Sequence, residues 1–443
     1  MPTSVKVSAV SLFLDRADRG LFRAITPARW AWLHSTRALV LGFLAVHVVF
    51  LLALLPTILT GRVLGDLPLY RTWAENGLVH QLWQGITVEW VYPVGALVPI
   101  VLAGLGGPLL YQLLWFLMTM SLNAIAVAAL TDRGRNARGF RAAWLWLVIS
   151  FILSPVALLR LEGLTAPLVI TALVLLARRP VVAAALLSAA TWIKVWPAAV
   201  MLAVVAVSRR RAVVAAIGAA VSVGVAVLVW GAGGIRYLTG FITMQSGRAL
   251  QLEAPVTTPW VWLASVGRPD TIIYQNQAIA TREVFGPGTV IAAEVMTPLM
   301  FLAVATVLVL LLVGLRRGAD PSRLLLLGAL SLVGAFIVFN KVGSPQYMLW
   351  LVPIVVVGAT HAWAHWRAAA YLMLAISVLT TLIFPVFYVP LIDAAPFAVL
   401  LLTVRNLLVI VLFGWSVRGL ALMARASRPL VRAGGRTVAV RLG

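Results

Sequence analysis

The chain has 443 residues, 62% of them apolar and 11% charged, with a mean hydropathy of +1.02. No soluble domain needs that much apolar surface, so the composition excludes a soluble protein and predicts an all-α polytopic integral membrane protein. The net charge of +22 would suggest nucleic acid in a soluble chain, but the arginines cluster in short loops between apolar runs, and no nucleic-acid partner is expected. There is no cysteine, which excludes disulfides and thiolate metal sites.

Residues 1–36 carry Lys6, Arg16, Arg19, Arg23 and Arg29 ahead of the first apolar run. They read as a cytoplasmic basic segment rather than a cleavable signal. At helical spacing Val10, Phe13, Leu14, Leu21 and Ile25 would share a face toward lipid. A single transmembrane domain is expected over 37–420, followed by a cytoplasmic basic tail at 421–443. Spanning segments fall near 37–60, 108–130, 142–160, 163–177, 181–207, 212–232, 291–315, 322–339, 346–360, 367–386 and 395–418.

The basic clusters give the orientation. Arg133 to Arg141, Arg178-Arg179, Arg209 to Arg211, Arg316 to Arg323 and the tail from Arg418 are all expected inside. That parity requires 93–107, interrupted by Gly104, Gly106, Gly107 and Pro108, to be a short half-span. It also requires 181–207 to go out and return, breaking between Thr191 and Pro197, because proline cannot continue a regular helix. About twelve spans result, with both termini inside and two long external loops, 61–92 and 233–290. The second, rich in Gln, Asn, Thr, Pro and aromatics, is expected to fold over the membrane face.

The stretch Leu64–Pro93 collects the most titratable groups: Asp66, Arg71, Glu75, His80 and Glu89, closing on Tyr92-Pro93. Asp66 stands just beyond the first span, between Gly65 and Leu67-Pro68, so a tight turn should hold it. Of the 35 basic residues only three are lysines. Lys194 and Lys341 lie in turns expected outside, among apolar and aromatic neighbours. Each either snorkels to the interface or, with the other, holds an anionic headgroup, since an ammonium at membrane depth costs about 3 kcal/mol without a partner. Arg248 in the long loop reads equally as a phosphate or sugar ligand and as structure. Arg160 and Glu162 bracket an outside turn and are expected to pair with each other. His80 is expected in solvent and His47 against a neighbouring helix. His361 and His365, beside Trp363 and Trp366, read as an interfacial anchor rather than a metal pair.

Four short motifs follow in order: Asp66 after the first span, Tyr92-Pro93, Lys194-Val195-Trp196-Pro197, and Lys341 with Ser344-Pro345-Gln346-Tyr347. In this order the chain resembles the GT-C glycosyltransferases, specifically family 87, the actinobacterial enzymes that take mannose from polyprenyl-phosphate-mannose. Val94 stands where the family's pattern has a second proline, and Gly163-Leu164-Thr165 replaces an expected Gly-Gln-x-Asn. The resemblance implies a GT-C-like bundle and an inverting single displacement from a polyprenyl-phosphate-sugar donor to a lipid or glycan acceptor, on the outer face of the cytoplasmic membrane. In that reading Asp66 is the catalytic base, and Lys341, Lys194 and Arg248 hold the donor phosphate. Tyr92, His80, Glu89, Gln346 and Tyr347 contact substrate, with no metal and no cofactor. A base for the acceptor hydroxyl and cations for the departing phosphate are what such a transfer needs. The alternative is a transporter or flippase for a lipid-linked or anionic substrate; a non-catalytic assembly subunit would leave Asp66, Lys194 and Lys341 without a common task.

Overall fold

The structure, a computed structural model, describes residues 26–246, 248–277, 279 and 281–426. The lipid-facing pattern at Val10–Ile25 and most of the basic tail lie outside the described residues. Helices dominate because each satisfies its own backbone hydrogen bonds, the requirement for crossing a bilayer. In order they are α1 (Pro27–Leu33), α2 (Thr36–Leu59), α3 (Leu67–His80), α4 (Leu97–Gly104), α5 (Gly107–Leu130), α6 (Ala137–Ile152), α7 (Ser154–Leu159), α8 (Glu162–Leu175), α9 (Pro180–Ile193), α10 (Pro197–Val207) and α11 (Arg211–Gly231). The outer loop then holds α12 (Gly240–Ser246), α13 (Thr258–Ser265) and an antiparallel hairpin of β1 (Ile272–Asn276) and β2 (Thr281–Phe285). The chain closes with α14 (Thr289–Arg316), α15 (Pro321–Val338), α16 (Met348–His361), α17 (Trp363–Thr381), α18 (Tyr388–Ile392) and α19 (Pro396–Ala426).

Local chemistry sets several ends. Ser35 and Asp320 accept hydrogen bonds from Ala38 N and Arg323 N, capping α2 and α15. Proline opens α9, α10 and α15, where its missing N–H costs nothing. The break expected within 181–207 falls at Lys194–Trp196, between α9 and α10. The segment after Pro93 is short, a single turn at Val94–Ala96 running into α4. Among the described residues seven helices are long and apolar enough to cross a membrane, and four apolar ones, Val94–Gly104, Glu162–Leu175, Pro180–Ile193 and Pro197–Val207, are shorter. The protein is a multi-pass helical membrane protein.

The bundle has two chemically distinct ends. At one, Arg178 pairs with Asp132 at 3.2 Å, Arg141 lies over the Trp30 and Trp363 rings, and Arg317 donates to the Ala424 carbonyl at 2.9 Å. The basic loops and the start of α2 thus meet there. His361 lies at that end and turns its Nδ1 back to the Val357 carbonyl. His47 bonds Asn123 on α5 at 3.5 Å, as expected of a mid-span histidine. The opposite end carries Asp66, the Lys194 break and the loop after α11.

That loop does fold onto the bundle. Trp262 Nε1 donates to Thr403 at 2.8 Å, Asn406 to Thr258 at 2.9 Å, and Gln251 N to the Lys341 carbonyl at 2.9 Å. Inside its hairpin Glu283 accepts from Tyr274, Asn276 and Thr281.

Candidate active site

Asp66 precedes α3 without capping it. Its loop is tied to α5, because Gln112 accepts from Leu64 N at 2.9 Å and donates to Thr57 at 2.6 Å. Gly65 has φ +66°, and a Cβ there would stand 2.8 Å from Leu159 Cβ. Only glycine meets both demands, and the close approach brings Asp66 beside the residue after Leu159, which is Arg160.

Arg160 Nη1 lies 2.9 Å from Asp66 Oδ2 and donates to Gln346 Oε1 at 2.7 Å. Ser344 Oγ closes on the same Gln346 oxygen. The Arg160 guanidinium carbon sits 5.5 Å from the Phe384 ring centroid. The expected Arg160–Glu162 pair does not form. Glu162, fully buried at the start of α8, instead takes Lys194 at 3.2 Å. The turn points the two side chains to different partners, one from the first external loop and one from the α9–α10 break.

Three constraints hold Lys194. Its ammonium stands 3.9 Å from the Tyr92 ring centroid, a cation–π distance. Gly95, with the Trp192 carbonyl 2.7 Å from where its Cβ would be, lets the chain after Tyr92 press against the end of α9. Trp196 donates to Thr165 at 3.1 Å and stacks near-parallel on Trp350, which stacks on Tyr347 at 3.9 Å. The Lys194 turn and the Ser344–Tyr347 element are therefore one packed unit.

Asp66 is faced by Arg160, Glu162, Lys194 and Tyr70, whose hydroxyl donates to Oδ2 at 3.4 Å. Burial pushes its carboxyl above the usual carboxylate range. Arg160 pulls it back, Glu162 pushes it up again, and Lys194 and Tyr70 oppose.

The residues singled out from sequence divide into two groups. Asp66, Lys194, Tyr92, Gln346 and Tyr347 come together, and Arg248 lies within electrostatic reach of the Tyr347 hydroxyl. His80 and Glu89 are exposed, Glu89 accepting from Thr243 at 3.4 Å. Lys341 has burial lowering its ammonium and Glu294 of α14 raising it. Among the described residues no group of three or more His, Asp or Glu side chains is arranged to hold a metal ion.

Sequence reasoning missed Arg160 as a partner of Asp66, and it missed Arg405 altogether. Arg405 is fully buried in α19 and binds Glu253 of the outer loop twice, Nη1 to Oε2 at 3.1 Å and Nη2 to the backbone oxygen at 2.9 Å. The available signal was an arginine inside an otherwise apolar span, which demands a partner.

No curated protein and no solved structure matches the chain. The sequence model described as glycosyltransferase family 87 matches residues 90–339. That interval is more than half of the chain and includes Tyr92, Arg160, Glu162, Lys194 and Arg248. The helical, multi-pass architecture agrees with it, and the chain belongs to glycosyltransferase family 87.

Proposed function

We propose that this membrane glycosyltransferase moves a hexose, mannose by family resemblance, from a polyprenyl-phosphate-sugar to a lipid or glycan acceptor. The observation that carries the reading is a partly exposed carboxylate, Asp66, in one charge cluster with Arg160, Glu162 and Lys194. Asp66 takes the proton of the acceptor hydroxyl as its oxygen bonds to the anomeric carbon. The bond from that carbon to the phosphate oxygen breaks on the opposite face, and its electron pair leaves on the phosphate, so configuration inverts. Lys194, with Arg248 across Tyr347, stabilises the charge that the departing phosphate gains, as charge-assisted donors do. Lys341 is the further cation assigned to that phosphate. Tyr92 and Tyr347 border the cation and offer ring faces to the sugar, with Glu89 and His80 as further candidate substrate contacts from the first external loop.

Residues 37–420 form the catalytic domain in this reading, spanning the membrane about twelve times with the termini inside and the Asp66 end outside. The separation of Asp66 from Arg141, Arg178 and Arg317 supports that orientation. The test is transfer by purified protein in liposomes, using radiolabelled polyprenyl-phosphate-mannose and membrane lipid acceptors. Labelled product from wild type and none from Asp66→Asn is expected. Donor moved across the bilayer with no sugar transferred would overturn the reading in favour of a flippase. Single cysteines placed near Asp66 should react with an impermeant thiol reagent from outside only.

A further inference from the structure

Asp66, the base of the reading above, cannot accept a proton freely while it holds its partner. Its Oδ2 is 2.9 Å from Arg160 Nη1, a charge-assisted contact that stabilises the ionised carboxylate and weakens it as a base. The guanidinium is not committed to Asp66 alone. Nη1 also donates to Gln346 Oε1 at 2.7 Å, the cation rests on the Phe384 ring, and Nε is buried with no hydrogen-bond partner. A neutral amide and a ring face anchor this side chain, and at least one donor is left over. Phosphate suits such a fork well, because its oxygens match the planar guanidinium donors in pairs.

We propose that Arg160 is a phosphate ligand of this site and gates its base: the donor phosphate takes the guanidinium from Asp66, and the released carboxylate then accepts the acceptor's proton. Gln346 and Phe384 serve as the pivot, so the guanidinium turns rather than travels. The other groups facing Asp66 work with the exchange. Glu162 is a like charge that raises the proton affinity of an unpaired Asp66, and its hold on Lys194 at 3.2 Å limits how far that cation compensates. Tyr70 remains as a weak donor at 3.4 Å. The base is thus strong only when a phosphate-bearing donor is in place, which disfavours proton abstraction without a sugar to transfer.

The inference rests on Asp66 being the base, and the experiment separates the two claims. Calorimetry of donor binding without acceptor, at about pH 6 in buffers of different ionisation heat, reads proton uptake directly. Wild type should take up a fraction of a proton per polyprenyl-phosphate-mannose bound, and Asp66→Asn should take up none. In pH profiles the acid limb of kcat, which reports the donor-bound enzyme, should lie about one pH unit above that of kcat/KM. Folded Arg160→Gln should bring the two limbs together and raise the donor KM about tenfold or more. Equal proton uptake in wild type and Asp66→Asn, or coincident limbs in wild type, overturns the exchange. If Asp66→Asn is inactive in that case, the base assignment stands without it. If Asp66→Asn transfers sugar normally, the base assignment itself falls. Should Arg160→Gln not fold, the wild-type and Asp66→Asn binding data decide alone.

Discussion

Two carboxylate–guanidinium pairs at the same end of this molecule invite comparison, Asp66–Arg160 and Glu253–Arg405. Both join a loop to the helical bundle, and their closest contacts are 2.9 and 3.1 Å. Their surroundings differ. The Arg405 and Glu253 side chains are 0% and 4% exposed, and Arg405 adds a second bond to the Glu253 backbone. The Arg160 and Asp66 side chains are 11% and 23% exposed, and Arg160 shares its Nη1 with a neutral amide. A sealed, doubly bonded pair has nothing to exchange with and ties the outer loop to α19. A pair that reaches solvent and divides its donors can give one partner to an incoming anion. Contact distance does not separate structural from chemical ion pairs; access and the remaining bonds do.

The largest effect should come from the exposed pair. Asp66→Asn keeps shape and removes the base, so kcat should fall by about 10²–10⁴ or more while thermal unfolding in detergent barely moves. A folded Glu253→Gln protein losing as much turnover would erase the distinction. The sealed pair should instead show in stability. Arg405→Met leaves a buried carboxylate unpaired and should cost about 3–5 kcal/mol, whereas replacing both partners with apolar residues should restore most of it. Turnover per folded molecule should change little in that double variant.

Next come the cations. Lys194→Ala should raise the donor KM about tenfold, with Lys194→Arg intermediate because charge is kept and geometry changed. Lys341→Ala should have a smaller effect, since its ammonium is much less buried than that of Lys194. A larger loss at Lys341 than at Lys194 would move the phosphate site toward the 340–347 turn. The smallest changes belong to Glu75→Gln and Glu89→Gln. Both side chains are exposed, and rates within about twofold of wild type are expected. The pH profile sharpens the picture further. A base must be ionised, so activity is lost as pH falls through the Asp66 pKa. Because burial holds that value above the ordinary range, the acid limb of kcat/KM should lie above about pH 4.

By itself the sequence determined the membrane class, the positions of most helices, the break before Pro197 and the family. These are local properties: a helix in lipid satisfies its own hydrogen bonds, so apolar length, proline and glycine suffice to draw it. The turn that presents Asp66 was legible for the same reason, in Gly65 and Pro68. Tertiary structure alone decided which charges meet. Arg160 bonds Gln346 across 186 positions, and Arg405 bonds Glu253 across 152. No periodicity encodes such pairs, because they depend on which helix ends the packing of the bundle brings level. For that reason Arg160, expected to pair with its neighbour Glu162, turned to Asp66, and Glu162 took Lys194 instead. The outer hairpin was hidden likewise, since its two five-residue strands carry too short a pattern to stand out, and Glu283 is satisfied only once they pair.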